Sequence, residues 1–530
     1  MKTERVKAYR SGQKCSVHYL PCLFTALALL SSVLVHAQTT EKPNVVYILA
    51  DDLGIGDISA FNENSKLKTV HIDNLAAEGM KFTDAHSGSA VCSPTRYGIL
   101  TGRYSWRSVL KKGVLSGYSN ALIEPDRITV ADVFQTQGYH TAFVGKWHLG
   151  WDWKFRQSTG NIENLNARPE VDFSSPVNNG PKEKGFKYSY GFSGSLDMAP
   201  YVYVENGKPT SVPTKSTVSA DYKGFWREGP TGDDFVHAEV LQHLTRKAVG
   251  YIEEQSVNRT PFFLYFALPS PHTPILPSAG YLGKSNTNFY GDFVLETDGV
   301  VGQIIDALKK QGVYENTIII FTSDNGCSPR AEFEELASVG HHPSYIYRGH
   351  KADIYEGGHR VPFVVSWPQR IPKGTTSAQT ICTTDLMATV ADLFGLTLPQ
   401  DCAEDSFSFL PILLNKAERI HPERGIIHHS VEGRFAIRKD NWKLILWPGS
   451  GGWSSPKTGA ESEGLPRYQL FDLAVDPGEK NNLVDAQPEK VKELEALFAE
   501  YIRNGRSTAG TPQQNDGDKV WTELKGIAGF

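Results

Sequence analysis

The chain has 530 residues, beyond the size at which one hydrophobic core usually stops growing, so a large domain with a smaller companion is expected and a lone small module is excluded. Hydrophobic residues at 40% and charged residues at 21% are ordinary for a soluble globular protein. A net charge of −5 excludes a general attraction to nucleic acid or anionic membranes, so affinity for an anionic substrate has to come from a local basic cluster.

Residues 1–37 read as an export signal. Lys2, Arg5, Lys7, Arg10 and Lys14 precede an apolar run from about Leu20 to Val35, closed by Val35-His36-Ala37 before Gln38. Cleavage after Ala37 is expected, giving a periplasmic, extracellular or lysosomal chain according to host. No stable membrane insertion is expected, because no later segment is long and apolar enough to span a bilayer. Cys92, Cys327, Cys382 and Cys402 remain after the leader. Export permits disulfides, so Cys382 with Cys402 is a possible bridge, although pairing cannot be read from sequence.

From Pro43 onward apolar strand-like runs alternate with amphipathic stretches, the pattern of an α/β domain with a largely parallel sheet. Strands are predicted over Asn44 to Ala50, Thr141 to Gly145, Phe262 to Leu268, Thr317 to Thr322 and Val361 to Ser366. Helical spacing predicts Val130 to Gln137, Phe235 to Ile252, Phe293 to Gln311 and Asp385 to Phe394, three of them closed by Gly138, Gly312 and Gly395. The aromatics Tyr188, Tyr190, Phe192, Tyr201 and Tyr203 could stack on sugars, but core packing is the simpler reading. After about Leu410 the pattern changes to short strands around Asp440-Asn441, a further strand at Tyr468 to Asp472 and a helix from Val491 to Ile502, an antiparallel α+β subdomain. The boundaries are therefore 43–409 and 410–530. Gly449 to Pro466 and Ser507 to Gly517 read as mobile.

Ligands of open α/β sheets collect at the carboxyl ends of strands. The first strand runs into Asp51-Asp52, and Thr317 to Thr322 runs into Ser323-Asp324-Asn325-Gly326. Either group alone reads as a turn or helix cap. Together they form a hard oxygen cage that suits Ca²⁺ or Mg²⁺ better than a soft metal.

Beside them stands Cys92-Ser93-Pro94-Thr95-Arg96-Tyr97-Gly98-Ile99-Leu100-Thr101-Gly102-Arg103. A lone cysteine is usually a buried hydrophobe. Pro94, however, suits the first turn of a helix, whose N-terminus attracts anions, and would bring Arg96 beside the thiol. This run resembles the signature of the formylglycine-dependent sulfatases, over twelve consecutive residues. In that family a formylglycine-generating or maturase enzyme oxidises the cysteine to 3-oxoalanine (formylglycine), and the hydrate of that aldehyde attacks sulfur.

The resemblance extends by motif from Asn44 to about Arg360. It implies an alkaline-phosphatase-like fold: an α/β domain with a large, mostly parallel sheet and a smaller C-terminal antiparallel α+β subdomain. It implies one Ca²⁺ held by Asp51, Asp52, Asp324, Asn325 and modified Cys92. By the same resemblance Arg96, Lys146 and Lys351 would hold sulfate oxygens. His272 or Lys351 would protonate the departing alcohol, and His148 would take the proton that expels sulfate. Ser195 is the nearest match to a further sulfate contact. The expected reaction is hydrolysis of a sulfate ester on a sulfated carbohydrate. Two rivals stand beside it. One is a phosphodiesterase or phosphonate hydrolase on the same scaffold, since both esters are tetrahedral. The other is a non-catalytic binder of sulfated glycans whose cysteine is never oxidised.

Overall fold

A strand buried on both faces must be apolar along its length, and Asn44–Ala50, reading NVVYILA, meets that requirement. In the computed structural model, which describes residues 42–530 except 158, 221, 519 and 528–529, this segment is β1. The expected export signal lies outside the described residues. The other strands of the main sheet are β2 (Met80–Phe82), β3 (His140–Lys146), β4 (Tyr188–Phe192), β5 (Phe262–Ala267), β6 (Thr317–Ser323), β7 (Phe363–Ser366) and β8 (Thr375–Ser377). Their order is β8-β2-β7-β6-β1-β5-β3-β4, and a short ribbon extends the β4 edge. Strands β6, β1, β5, β3 and β4 run parallel, whereas β7 is antiparallel to β6. The sheet is therefore mixed but mostly parallel.

The register sets the site. Ala50 pairs with Ser323, Leu49 with Ala267, and Ala267 with Gly145, so β1, β3, β5 and β6 end level with one another at their carboxyl edge. Helices α1 (Val70–Ala77), α2 (Cys92–Thr101), α3 (Val130–Thr136), α4 (Val240–Val257), α5 (Phe289–Lys310) and α6 (Leu386–Leu393) flank the sheet. Helix α4 begins five residues later than its spacing predicts, after a 3-10 turn at His237–Glu239. Phe235 packs ahead of the helix on Phe192, Tyr201 and Tyr203, and Val236 is left exposed. Those aromatics, with Tyr190, are buried core groups, as the simpler reading held.

A second sheet has the order β9 (Ile426–His429), β10 (Phe435–Lys439), β11 (Trp442–Ile445), β12 (Gln469–Asp472), all antiparallel, with α7 (Pro488–Arg503) beside it. The tight turn is made by Asp440 at φ 53°, a left-handed conformation that Asp tolerates. Leu444, Leu470, Leu494 and Phe498 build its core around Tyr104 and Trp106, which come from the segment just after α2.

The two stretches read as mobile are instead tied down. Gly-rich composition conceals the partners that hold them. Trp453 and Ser454 N–H groups donate to Asp353 Oδ1 at 2.8 and 3.0 Å, and Ser507, Asn515 and Asp516 bond Asp405, Arg107 and Arg103. The four described cysteines are all unpaired, so Cys382 and Cys402 form no bridge.

Charge joins the two sheets. Arg107 places Nε and Nη2 at 2.8 Å from the two Asp405 oxygens and Nη1 at 3.0 Å from the Tyr501 carbonyl, all fully buried. Removing one partner of such a pair strands the other charge, so Arg107→Ala should cost on the order of 3–5 kcal/mol. The exposed Lys310–Glu253 pair is the control, and Lys310→Ala should change stability by less than about 0.5 kcal/mol. Thermal denaturation checks both; equal midpoints for the two variants would contradict the assignment.

Candidate active site

Helix α2 starts where extended Val91 (φ −146°, ψ 160°) turns into Cys92, so the thiol occupies the first helical position and Pro94 the third. The N–H that Pro94 lacks is one that no helix start uses. All ten residues of the helix are buried. It stops at Gly102, φ 65°, where a Cβ would lie 2.9 Å from Met387 Cβ and 3.0 Å from Ala403 Cα. Only glycine fits there, which explains the Thr-Gly pair of the motif.

The strand ends deliver the remaining groups. Beyond β1, Asp51 N–H donates to the Ser270 carbonyl at 2.9 Å, and Asp52 adopts φ 63° while its N–H donates to Asp324 Oδ1 at 3.2 Å. Beyond β6, Asn325 Nδ2 donates to Asp52 Oδ1 at 2.8 Å. Positive φ is uncommon outside glycine but is a conformation that Asp adopts more readily than most residues, and here it turns Asp52 out of the strand direction. His148, just past β3, shows the same feature at φ 53°.

Each cation rests on a carboxylate. Lys146 Nζ lies 2.6 Å from Asp51 Oδ2 and donates to Ser195 Oγ at 3.0 Å. Lys351 Nζ lies 2.6 Å from Asp52 Oδ1. Arg96 Nη2 lies 2.8 Å from Asp324 Oδ2, and its Nη1 donates to the Lys146 carbonyl at 2.8 Å. Ser195 Oγ is 3.4 Å from both ring nitrogens of His272, whose Nε2 is 3.6 Å from Asp52 Oδ2. All eleven residues singled out in the sequence therefore meet at one place, Ser195 included.

Burial and charge set the protonation states. Burial and the Asp51 charge push Asp324 up to about 6, against the pull of Arg96. Burial works the same way on Asp51, but Lys146, His272 and Arg96 overcome it and hold Asp51 well below the usual carboxylate range. Burial opposes the charge of Lys351 too, yet Asp52 raises it above the ordinary lysine value. Burial also raises the Cys92 thiol. It lowers His148, helped by Lys146 and Arg96, and lowers His272, helped by Lys351. His148 donates from Nε2 to the Leu115 carbonyl at 2.8 Å, which fixes the proton on Nε2 and leaves Nδ1 as the free base. Leu115 is itself held by Ser93 Oγ, which accepts its N–H at 3.1 Å, so the α2 start and His148 are braced together.

A divalent cation fits these residues. Asp51, Cys92 and Asp324 place ligand atoms within 4.8 Å of one another. Asp51 Oδ1 and Asn325 Oδ1 are buried without a hydrogen-bond partner among the described residues, the former 3.7 Å from Arg96 Nη2, so both are acceptors with room for a ligand. The donor set of carboxylate and amide oxygens is hard.

A second group, His86, Glu356, His359 and His428, has comparable spacing. Its acids are already matched by bases. Lys443 lies 3.1 Å and Arg360 2.8 Å from Glu356, while Arg438 and Arg360 lie 2.7 Å from Asp84. His359 stacks on His428 at 3.7 Å. The carboxylate already engaged by a lysine and an arginine, and the parallel rings, make this a structural network between the sheets rather than a metal centre.

A cavity of about 550 Å³ opens onto Cys92, His272 and Lys351, and its walls include Asp197, Phe225, Arg227 and Trp453. The sequence reading missed these wall residues, which come from loops without a motif; the only available signal was the aromatic and basic content of 225–227.

The chain matches the Sulfatase family model over residues 43–396 and the model described as N-sulphoglucosamine sulphohydrolase, C-terminal, over residues 349–506. It is 32% identical to an N-acetylgalactosamine-6-O-sulfatase of Bacteroides thetaiotaomicron, across 87% of this chain and 94% of that one. It is 30% identical to arylsulfatase A of Homo sapiens, across 89% and 90%. A solved structure concerned with the metabolism of multiple glycosaminoglycans by Bacteroides thetaiotaomicron superposes with a TM-score of 0.76 at 33% identity, across 87% of this chain and 99% of that one. The protein is a sulfuric ester hydrolase, and the chain belongs to the formylglycine-type sulfatase family of the alkaline-phosphatase-like superfamily.

Proposed function

We propose that the protein, exported through its N-terminal signal, hydrolyses sulfate esters on a sulfated carbohydrate, with Cys92 converted to formylglycine by a maturase and one Ca²⁺ held by Asp51, Asp52, Asp324, Asn325 and position 92. The observation that carries this reading is the meeting of Cys92, at the helix start, with Asp51 and Asp324 on one side and Lys351 and His272 on the other. The sugar follows from the names of the relatives, an N-acetylgalactosamine-6-O-sulfatase among them.

The formal charges of Asp51, Asp52 and Asp324 are matched by Arg96, Lys146 and Lys351. A cation alone or an anion alone would upset that balance in a site shielded from water, whereas the two together nearly preserve it. Bound calcium would supply Lewis acidity, and a hydroxyl of the hydrated aldehyde at position 92 would supply the nucleophilic oxygen.

The chain's own groups do the rest. Lys146, Lys351, Arg96 and Ser195 bind and orient the sulfate oxygens. An anion bound among them stabilises the imidazolium of His272, so His272 gains its proton with the substrate and delivers it from Nε2 to the departing alcohol oxygen. His148, kept neutral by burial and with its Nδ1 unprotonated, would take the proton of the second hydroxyl at position 92, so that the carbon–oxygen bond to the sulfate breaks, sulfate leaves and the aldehyde is restored.

Sulfate release from defined sulfated mono- and disaccharides tests the reading directly. Cys92→Ala should lower turnover by at least about a thousandfold, as loss of a covalent nucleophile does, and mass spectrometry of the wild-type peptide should show aldehyde in place of thiol. Full activity with an unaltered thiol would overturn it. Ca²⁺ should raise the thermal midpoint of metal-stripped protein, by up to about 2.7 kcal/mol of stability at a hundredfold excess over Kd. Asp324→Asn should abolish that rise; an equal rise in the variant would remove Asp324 from the metal site.

A further inference from the structure

Trp453 is 45% exposed, yet the loop that carries it is pinned. Asp353 Oδ1 accepts the Trp453 and Ser454 N–H groups, and its Oδ2 accepts the Ser454 hydroxyl at 2.6 Å. A Cβ at Gly452 would lie 2.4 Å from the Ala352 carbonyl oxygen, so the loop backbone rests on the residue next to Lys351. The second sheet's loop is thus anchored to the catalytic segment and presents an indole to the same cavity that holds Cys92. An exposed apolar side chain is ordinary by itself. One fixed at the mouth of a polar cavity offers a flat face and an N–H, the shape that sugars pack on.

Opposite in chemistry, though lining the same cavity, stands Arg227. Its Nη1 lies 2.5 Å from Asp197 Oδ2, which holds the guanidinium in place, and among the described residues no hydrogen bond reaches its Nη2. The side chain is 20% exposed. Phe225, another lining residue, carries the Arg227 guanidinium 5.2 Å from its ring centre and that of Arg330 at 4.3 Å, so two positive groups lie against one aromatic ring of the cavity lining. Among the described residues no hydrogen bond or ion pair joins Trp453, Phe225 or Arg227 to Cys92, Lys146, His272 or Lys351, whereas Asp197 also feels the charges of His272 and the two lysines.

We propose that the mouth of the Cys92 cavity is a second sugar subsite, in which Trp453 packs on the sugar next to the sulfated one and Arg227, positioned by Asp197, binds an oxyanion carried by that neighbour, a carboxylate or a second sulfate ester. The proposal rests on the sulfatase reading above and deepens it: the substrate is a polyanionic oligosaccharide rather than a lone sulfated sugar.

The test compares kcat/KM on four substrates: a sulfated monosaccharide, and the same sulfated sugar linked to a neutral hexose, to a uronic acid, or to a second sulfated sugar. In the wild type the neutral disaccharide should exceed the monosaccharide, and an anionic neighbour should add about tenfold, as expected of one charge-assisted contact. Trp453→Ala should erase the disaccharide-over-monosaccharide ratio and Trp453→Phe should keep most of it. Arg227→Gln should erase the anionic-over-neutral ratio. A rise with either anionic neighbour supports the proposal and identifies the group. Wild-type turnover without any disaccharide preference, or variants that lose equally on all four substrates, would overturn the subsite and leave the sulfatase reading standing. Turnover of none of the four, from protein with confirmed aldehyde, would overturn both.

Discussion

The balance of three buried acids against three buried bases is the constraint on which the rest of the structure depends. Asp51, Asp52, Asp324, Arg96 and Lys146 are essentially without solvent contact, and Lys351 nearly so. Each charge in such a place costs several kcal/mol to desolvate and is tolerated because an opposite charge lies within 3 Å. The shifts follow from that packing. Asp324, for which burial and the Asp51 charge outweigh Arg96, is pushed up, while Asp51, with several cations near, is held down. A site balanced in this way is prepared to exchange internal ion pairs for a cation and an anion from outside, the pairing that sulfate transfer needs.

Holding that balance takes most of the molecule. The level ends of β1, β3, β5 and β6 put two aspartates, a lysine and an Asp-Asn pair at one edge, and the left-handed backbones of Asp52 and His148 turn their side chains out of the strand direction. Arg96 ties α2 to β3 and β6 at once. The smaller sheet is joined to this frame through buried ionic contacts, Arg438 with Asp84 and Lys443 with Glu356, and through its loop on Asp353. It is part of the site's support and forms one wall of the cavity.

Much of this was legible in the sequence. Central strands such as Thr317–Ser323 are continuous apolar runs, and runs of that kind admit few other readings. The Cys-x-Pro-x-Arg core and the Asp-Asp and Asp-Asn pairs carry chemistry that turns and caps alone do not require. What escaped was long-range. The start of α4 depends on Phe235 being claimed by an aromatic cluster, β9 is masked by two buried histidines, His428 and His429, and the loop around Trp453 is ordered by an aspartate a hundred residues away. Local spacing extends the helix to Phe235, and local composition says polar or mobile in the other two cases; tertiary partners decide otherwise.

The central claim is that cation and sulfate enter one electrostatically balanced site together. Calorimetric titration of Ca²⁺ into the Cys92→Ser protein, with and without a saturating sulfated sugar, tests it most directly. The account predicts tighter Ca²⁺ binding in the presence of the sugar, and by linkage tighter sugar binding in the presence of Ca²⁺ by the same factor. Equal Ca²⁺ affinity in the two titrations would contradict it.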